Sequence, residues 1–463
     1  MTATAERAPA PPKLSPLGWL RKRLFQNVGS AVLSVTLIVV LLYVVYRSLV
    51  FVVINGQWEA ISRNLTLFMV GTFPRDQVWR LAAQALMLGL AFGIGVGTAS
   101  GTARDKAKQA GLAYEPPLLA GTLKRFWSLT AFVLVLLTLA GTAGPWLVVG
   151  GAVLVGYIGW HSWRLPPSMR TLGWLLTALL FLAGFQVVSG TEGLAWLPVA
   201  LVLAAASRLL VPVERLETPL RQLVSLGAPL VAAGVVYGIY QVIAAPGVGW
   251  DDWSGMILTL WWSAIVIVLA FPTGLMLALA RRSTLPALRY LATTYIELIR
   301  GVPLITLLFM GQFMLGFMLP AGTVFSSITR SIAAGTLFTA AYVAEIVRGG
   351  LQSLPPGQME AGQALGMGIP AIMRRIVLPQ ALRAVIPAMV GQFISLFKDS
   401  SLLFIIGATE FLGVRDLVHA QADFRVSAHA ETLVFVAVGY WAIAFSMSRE
   451  SQRLERRLGV GET

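Results

Sequence analysis

The sequence predicts an all-α integral membrane protein, and three observations support that prediction. Of the 463 residues, 57% are hydrophobic and 12% are charged, and the mean hydropathy is +0.75. The apolar residues form continuous runs of about 20, the length at which a helix crosses a hydrocarbon core of about 30 Å. Because the runs are continuous rather than alternating, they indicate helices and exclude a transmembrane β-barrel.

The apolar runs predict about 12 transmembrane helices. The first run follows a polar, proline-rich tail that ends at Arg21-Lys22-Arg23. It is longer than the core of a signal peptide, so it is predicted to be a retained span. The predicted spans are 31–54, 78–99, 126–142, 144–160, 171–189, 193–210, 225–245, 254–280, 295–318, 328–347, 382–406 and 431–447.

The distribution of basic residues predicts that both termini are cytoplasmic. Loops on the cytoplasmic side of a membrane are enriched in Lys and Arg. With the N-terminus inside, the segments assigned to the cytoplasm hold most of the 35 Lys and Arg residues, and the turns near 143, 191 and 248 hold none. The net charge of +14 therefore reflects membrane topology rather than a surface for nucleic acid.

The composition also limits the chemistry of the chain. It has no cysteine, which excludes disulfides and thiolate chemistry. Its three histidines, His161, His419 and His429, lack the spacing of a metal site. We therefore expect no catalytic residue, no metal site and no cofactor bound by this chain.

The chain divides near residue 250. Before that point the spans contain few polar groups, whereas from Trp253 onward five spans contain prolines and ionisable residues. An ionisable side chain inside a span costs about 3 kcal/mol on insertion scales and is a functional candidate by default. We therefore expect the function to lie in the second half.

A loop of over 30 residues, 348–380, lies between the tenth and eleventh predicted spans, on the predicted cytoplasmic side. A Pro-Pro-Gly sequence at 355–357 precedes a helix-forming stretch, 359–365. A second helix is expected from Ala371, and Pro379 is expected to mark the turn toward the membrane. These signals predict a short helical hairpin at the membrane surface, and the alternative is a solvated connector.

The loop resembles the EAA loop of permease subunits in binding-protein-dependent ABC importers, which has the pattern E-A-A-x3-G-x9-I-x-L-P. The spacing of this pattern agrees throughout the loop. The one departure is Gly362, where the family prefers alanine, and a glycine there is expected to weaken the helix by about 1 kcal/mol. The resemblance implies that the residues coupling this chain to an ATPase are Glu360, Ala361, Gly362, Gly366, Leu378 and Pro379.

Neighbouring segments extend the resemblance over 253–457. "YIELIRGVPLITLLFMGQF" and "LFKDSSLLFIIG" are similar to segments of the polar amino-acid branch of the family, and "NLTLFMVGTFPRDQVWR" resembles the larger membrane subunit of general L-amino-acid importers. The resemblance implies a five-helix permease core. The expected domains are a cytoplasmic tail (1–28), a membrane extension of about seven spans (29–250), the permease core (251–450) with the loop, and a cytoplasmic tail (451–463).

The resemblance also implies partners in a bacterial inner membrane. A periplasmic binding protein would deliver an L-amino acid, a second permease subunit would complete the pathway, and ATP-binding cassette subunits would use ATP and Mg²⁺. The chain lacks the phosphate-binding motif G-x4-G-K-[ST], so ATP hydrolysis is expected from those subunits and this chain is not expected to be an enzyme. The even number of predicted spans and the one substrate-like cluster favour a heterodimer of permease subunits.

Seven polar residues in the predicted spans are candidates for the substrate pathway: Lys398, Asp399, Ser400, Ser401, Glu297, Arg300 and Gln392. An amino acid carries a cation and an anion, so its site needs an acceptor such as a carboxylate and nearby donors. Structural alternatives remain open. The 398–401 segment also fits a helix break that shapes the pore. Glu297 and Arg300, three residues apart, also fit mutual neutralisation, and Gln392 fits a hydrogen bond between helices.

Two other classes of function fit parts of the sequence. A self-sufficient secondary transporter accounts for twelve spans, but the long loop follows the tenth span instead of separating two halves of six. A membrane-embedded enzyme requires a nucleophile with a base, or a metal cluster, and the sequence shows neither pattern. The leading hypothesis is therefore an ABC importer permease for polar L-amino acids.

Overall fold

A computed structural model of the chain describes residues 24–111, 113, 119–189, 248–249, 252–318, 325–425 and 427–458. Within these residues the regular structure is helical, apart from one isolated bridge between Gly255 and Glu410. The all-α prediction is therefore confirmed for the described part of the chain. Five of the helices in this part are long and apolar enough to cross a membrane, and a bent pair adds a sixth if it counts as one span.

The five long apolar helices coincide with five of the predicted spans. They are Val28–Asn55, Arg75–Gln109, Gly255–Arg281, Ile369–Ile406 and His429–Arg456. Four other predicted spans, 126–142, 144–160, 171–189 and 328–347, fall on helices that are not among these five. The predicted spans 193–210 and 225–245 lie outside the described residues. The total of about 12 therefore stays a prediction.

The described residues up to Glu59, 24–59, form a unit of their own. Its helix α1 (Val28–Val50) begins with a reciprocal cap. The N–H of Ser30 donates to Asn27 Oδ1 at 2.8 Å, and the N–H of Asn27 donates to Ser30 Oγ at 3.0 Å. One turn of π-helix, Phe51–Asn55, extends α1. No residue of α1 is buried, so its apolar side chains are available to lipid.

The rest of the N-terminal half is arranged on one long helix, α4. The helices in order are α2 (Glu59–Ser62), α3 (Leu65–Val70), α4 (Trp79–Gln109), α5 (Leu119–Leu139), α6 (Pro145–Trp160) and α7 (Arg170–Ser189). Helix α4 packs along both α6 and α7. Arg170 Nη2, at the start of α7, donates to Asp105 Oδ2 on α4 at 2.6 Å, which ties the ends of these two helices together.

Glycines at every fourth position bring α4 close to its neighbours. Gly89, Gly93, Gly97 and Gly101 share one face of α4 because residues four apart are neighbours on a helix. A Cβ atom at Gly93 would lie 2.0 Å from the carbonyl oxygen of Gly156 on α6. The backbones of α4 and α6 are therefore in direct contact at this point, which is a common way for membrane helices to pack.

Helix α3 packs against the second half of the chain. The ring of Phe68 lies 6.0 Å from that of Phe411 and 4.9 Å from that of Phe435. Asn64 and Gln421 exchange two side-chain hydrogen bonds, of 3.3 and 2.7 Å. These contacts lie within the compact unit that the described residues from Ala60 onward form.

The second half contains the helices that carry the predicted site residues, both long and short. In order they are α8 (Gly255–Arg281), α9 (Pro286–Arg300), α10 (Leu304–Phe309), α11 (Leu315–Met318), α12 (Ser327–Gln352), α13 (Gly357–Ala364), α14 (Ile369–Ile372), α15 (Leu378–Asp399), α16 (Val414–His419) and α17 (His429–Leu458). Helix α8 packs along α12, α12 packs along α15, and α15 packs along α17.

The predicted span at 295–318 is not one straight helix. Helix α9 ends at Arg300, and the helical stretch Leu304–Phe317 continues after a bend of 104°. Pro303 has no N–H to donate, and a proline disfavours helical geometry at the residue before it, here Val302. Apolarity alone does not register this change of direction, so the prediction began the span before the bend.

The expected turn at Pro379 is absent. The helix that begins at Ile369 continues through 38 residues to Ile406. A turn of π-helix, Met373–Val377, precedes the proline, and the N–H of Leu378 bonds to the carbonyl of Met373. This wider turn changes the hydrogen-bond pattern just before a residue that has no N–H, so the helix continues through Pro379.

We expect Gly93→Ala to destabilise the described helices of the N-terminal half, because the new methyl group meets a backbone oxygen that cannot move away alone. Overpacking of this kind costs about 1–3 kcal/mol. Thermal unfolding of the purified chain in detergent would measure the loss. Gly150→Ala on α6 is the matched control, since nothing lies within 4 Å of its new Cβ. Equal unfolding temperatures for the two variants would contradict the close packing.

Candidate functional site

Helices α13 and α14 form the predicted hairpin, and a glycine closes it. Gly366 has φ = +71°, and its N–H donates to the carbonyl of Gln363 at 2.9 Å. The N–H of Met367 donates to the carbonyl of Gly362 at 3.1 Å, which completes a Schellman motif. Residues with a Cβ rarely adopt this positive φ, which explains why the EAA pattern has a glycine at this position.

Gly362, the departure from the EAA pattern, packs against the other arm of the hairpin. It is buried, and a Cβ there would lie 2.8 Å from Cγ1 of Ile372. Ile372 is itself fully buried, and its β-branched side chain has little rotamer freedom. The absence of a side chain at Gly362 therefore makes room for the side chain of Ile372.

The hairpin is packed into the core of the second half. Ile372 and Val377 belong to the same buried apolar cluster as Val347 of α12 and Val385 of α15. A Cβ at Gly350 would lie 2.4 Å from Cγ1 of Val385, so α12 and α15 approach each other closely beside this cluster. Close-packed interiors transmit displacement, so a movement of the hairpin is expected to move both helices.

The other residues of the motif face outward or line the edge of the core. Glu360 and Ala361 are exposed on α13, and Glu360 forms no hydrogen bond or ion pair with any described residue. Leu365 is 79% exposed at the end of α13. Leu378 packs against the apolar cluster, and Pro379 is exposed near the start of α15. The exposed carboxylate and the exposed leucine are thus available to a partner.

Helix α15 ends in the predicted polar segment and tightens into a 3₁₀-helix, Ser400–Ile406. Lys398 is exposed, whereas Asp399 and Ser401 are half-buried, and these three side chains form no hydrogen bond or close ion pair in the described part of the chain. Gln392 is half-buried seven residues before Asp399, which places both on one face of α15. These groups remain free to bind a ligand.

Ser400 differs from its neighbours because it is buried and already hydrogen-bonded. Its hydroxyl donates to the carbonyl of Phe397 at 2.7 Å and lies 3.1 Å from the hydroxyl of Tyr440 on α17. The structure therefore gives Ser400 a packing role between α15 and α17. Lys398, Asp399 and Ser401, the other polar residues of this segment, form no such hydrogen bonds in the described part of the chain.

Glu297 and Arg300 do not pair with each other. Arg281 Nη2 at the end of α8 donates to Glu297 Oε1 at 2.8 Å, and Arg300 Nη1 lies 3.8 Å from Glu345 Oε2 on α12. Arg281 Nη1 also donates to Glu345 Oε2 at 3.2 Å, and Arg348 Nε donates to both oxygens of Glu345 at 2.9 Å. Together these five residues form an ion-pair cluster.

The ion-pair cluster and the polar end of α15 lie at different places. Glu345 and Arg348 are in the last turns of α12, which leads into the hairpin, whereas Asp399 ends α15, which starts at the hairpin. No hydrogen bond or ion pair among the described residues connects the two groups. The structure therefore does not bring all seven predicted pathway residues together.

A buried carboxyl group, Glu410, is the functional-site candidate that the sequence analysis missed. It is fully buried and accepts hydrogen bonds from the backbone N–H groups of Leu412 at 2.7 Å and Gly413 at 2.9 Å. The hydroxyl of Tyr440 donates to it at 2.8 Å, and that of Thr259 on α8 lies at 3.5 Å. Burial raises the pKa of Glu410 to about 7 despite these donors.

The sequence did hold a signal for Glu410, since it is the one acidic residue in the apolar run "SLLFIIGATEFLGV". Through Tyr440 it is linked to Ser400, so the network joins the end of α15 to α8 and α17. Groups of three or more His, Cys, Asp or Glu residues that would hold a metal are absent from the described residues.

Comparisons with known proteins agree with the motif. Residues 270–460 match the family described as binding-protein-dependent transport system inner membrane component. The chain is 33% identical over 408 residues to the glutamate/glutamine/aspartate/asparagine transport system permease protein BztC of Rhodobacter capsulatus, covering 87% of this chain and 78% of that protein.

Other similar proteins match about half of the chain. The inner membrane amino-acid ABC transporter permease protein YhdY of Escherichia coli is 44% identical over 236 residues, which are 51% of this chain and 63% of that protein, less than two thirds of its length. A solved structure of an amino acid ABC transporter with histidines is 30% identical, with a TM-score of 0.40, and covers 44% of this chain and 92% of that one.

The carboxyl group of Glu410 is expected to make stability depend on pH. Its ordinary pKa is 4.5, so between that pH and about 7 the folded chain binds more protons than the unfolded chain. Stability should therefore fall as the pH rises through this window, by up to about 3 kcal/mol.

Thermal unfolding of the purified chain at pH 5 and pH 7.5 would measure this effect. Glu410→Gln should lose the pH-dependent part, while Glu360→Gln, which removes an exposed carboxyl group, should behave like the unchanged chain. The same pH dependence in all three proteins would show that Glu410 is not its source.

Proposed function

The chain belongs to the family of inner-membrane permease subunits of binding-protein-dependent transport systems, and from this premise we propose that it forms part of an ATP-driven importer of polar L-amino acids. The observation that carries the proposal is the hairpin, which exposes Glu360 and is packed into the core through Ile372 and Val377. Similarity to permeases named for amino-acid transport supports the substrate class.

The proposed assembly has partners that supply energy and substrate. ATP-binding cassette subunits would hydrolyse ATP with Mg²⁺ and dock on the exposed side of α13, where Glu360 offers a carboxylate and Leu365 an apolar contact. A second permease subunit, different from this one, would complete the pathway. A periplasmic protein would bring the amino acid, and this chain would hydrolyse no ATP itself.

We also propose the topology that the charge distribution favours. The chain would cross a bacterial inner membrane about 12 times with both termini in the cytoplasm, and the hairpin would lie on the cytoplasmic side. Five long apolar helices and one bent pair in the described residues are consistent with a multi-pass protein.

The proposed coupling mechanism rests on one continuous helix. The second arm of the hairpin and α15 belong to the same helical stretch, Ile369–Ile406, which also carries Gln392 and Asp399. A shift of the hairpin on ATP binding would move that stretch as one body and alter the polar end of α15. Transport would then proceed by alternating access, with the two states set by the position of this helix.

The proposed substrate site is the polar end of α15. Asp399 would accept hydrogen bonds from the amino group of the substrate, and Lys398 and Ser401 would donate to its carboxylate. Gln392 lies on the face of Asp399 and would add a further contact. Ser400 would act indirectly by holding this end of α15 to Tyr440.

Glu297 and Arg300 belong to the ion-pair cluster beside the hairpin, so we propose that they take part in closing the exit. Each of the three arginines in this cluster faces at least one carboxylate, and charge-assisted pairs of this kind fix helices relative to one another. Substrate leaving toward the hairpin would require the cluster to open. The similarities favour this mechanism over a self-sufficient secondary transporter.

Uptake and ATP hydrolysis by the reconstituted transporter test the proposal. We expect Glu360→Ala to lower uptake per ATP hydrolysed by roughly tenfold or more, because coupling energies between sites are typically about 1–3 kcal/mol. Basal ATP hydrolysis should remain. Asp76→Asn, which removes an exposed carboxylate elsewhere, is the control and should retain coupled uptake. Uptake by the purified chain without ATPase subunits would overturn the proposal.

The same vesicles separate coupling from substrate binding. Asp399→Asn should raise the KM for amino-acid uptake by about tenfold, since a hydrogen bond to a charged group contributes about 1.5–3 kcal/mol. The ratio of uptake to ATP hydrolysis at saturating substrate should not change. An unchanged KM would remove Asp399 from the proposed site and leave the coupling role of Glu360 untouched.

A further inference from the structure

Helix α9 is placed and shaped differently from the spanning helices around it. It has 15 residues, which is about 22 Å of helix and too short for a hydrocarbon core of about 30 Å. It meets the following helical stretch, Leu304–Phe317, at 104°. If that stretch runs roughly along the membrane normal, α9 must lie nearly parallel to the membrane surface.

One side of α9 is fixed to the protein. Ala292, Ile296 and Ile299 are buried, and α9 packs against both α8 and α12. The hydroxyl of Tyr295 donates to the carbonyl of Leu337 on α12 at 2.7 Å. The orientation of α9 about its own axis is therefore set by packing.

Beside the packed residues, the stripe of α9 that Tyr295 shares carries exposed apolar side chains. Leu291 is 70% exposed and Leu298 is 60% exposed, and they are seven residues apart, on one face of the helix. Leu288 is also exposed, one turn before Leu291. A helix that lies along a membrane surface buries such a face in the boundary between headgroups and acyl chains.

The start of α9 carries positive charge that the protein does not neutralise. Arg282 and Arg289 are exposed and form no hydrogen bond or ion pair with any described residue, in contrast to Arg281 and Arg300, which belong to the ion-pair cluster. Arg289 stacks over the ring of Tyr290 at 5.7 Å, and exposed tyrosine is typical of the membrane interface. The planar guanidinium group binds a phosphate oxygen pair well.

We propose that α9 is an interfacial helix that binds anionic phospholipid in the leaflet on the side of the hairpin. Arg282 and Arg289 would bind the lipid phosphate, and Leu288, Leu291 and Leu298 would contact the acyl chains. The side of the membrane follows from α9 itself, because Arg300 pairs with Glu345 near the end of α12 that leads into the hairpin. Glu297 accepts from Arg281 at the end of α8, and Arg281 also donates to Glu345. That this leaflet is cytoplasmic rests on the proposed function.

Lipid binding at α9 would support the ion-pair cluster. Glu297 and Arg300 lie on another side of the same helix, so a lipid that holds α9 in place also holds these two partners of Arg281 and Glu345. The lipid would thus stabilise the contacts among α8, α9 and α12 beside the hairpin.

Site-directed spin labelling tests the position of α9, and the chain is suited to it because it has no cysteine. Leu291→Cys and Leu298→Cys, each spin-labelled in the full chain as purified and placed in lipid nanodiscs, report depth through their accessibility to oxygen and to a water-soluble nickel chelate. The proposal predicts the same shallow depth for both labels, with high access to oxygen.

Three results would overturn it. A depth difference of about 10 Å between the labels would mean that α9 enters the membrane as part of a span. High access to the nickel chelate would mean a water-filled groove, and low access to both reagents would mean that a protein subunit covers this face.

Binding of a fluorescent phosphatidylglycerol in phosphatidylcholine nanodiscs tests the charge. Each basic residue near a membrane surface contributes about 1 kcal/mol, so the double variant Arg282→Gln, Arg289→Gln should bind this lipid about 30-fold more weakly. Arg425→Gln, which removes one exposed arginine elsewhere, is the control and should bind as the unchanged chain does. Equal affinity for all three proteins would contradict the lipid site. Neither measurement involves uptake, so failure of the amino-acid proposal would leave both results interpretable.

Discussion

The burial of Ile372 and Val377 beside Val347 and Val385 is the contact on which the rest of the architecture depends. It makes the hairpin a part of the transmembrane core rather than a loop attached to it. The second arm of the hairpin continues into α15. The same contact therefore links the exposed carboxylate of Glu360 to the polar end of α15. The 22 residues of α15 alone extend about 33 Å, which is enough to cross a hydrocarbon core of about 30 Å.

The sequence predicts best those parts of this arrangement that depend on local chemistry. Gly366 stands where only a residue that tolerates positive φ closes the hairpin, and the resemblance to the EAA pattern indicated its position. The long helices follow from continuous apolarity. Pro303 and Pro379 show the limit of such reasoning. Both lack an N–H group, yet the first lies at a sharp bend and the second is preceded by a π-turn within a continuous helix.

Tertiary contacts decided the rest, and these are not visible in spacing. Glu297 and Arg300 look like a pair on one helix, but each finds a partner on another helix, at Arg281 and Glu345. Glu410 is a single acidic residue in a polar-poor segment, and only the fold surrounds it with donors. The seven pathway candidates therefore separate into a buried structural serine, an ion-pair cluster beside the hairpin, and a polar helix end. The assignment of substrate contacts to that end remains a prediction.

Two different solvents act on the second half of the chain. Hydrocarbon requires the long helices to satisfy their own backbone groups, and it tolerates the bend before Pro303 only where neighbouring helices pack against it. The interface with water accepts a helix that is apolar on one side and charged on another, which is the character of α9. The ion-pair cluster joins these regions, because its members come from a spanning helix, from α9 and from the end of α12.

The proposed function depends on contact between the exposed face of the hairpin and the subunit that supplies energy. A single cysteine at Ala361, next to Glu360, tests this directly, since the chain contains no other cysteine. After treatment of membranes holding the whole transporter with a short thiol-to-amine cross-linker, we expect a product containing this chain and the ATPase subunit. Asp76→Cys, also exposed, should give no such product. Absence of the product from Ala361→Cys, or an equal yield from both variants, would show that the ATPase subunit does not dock on this face.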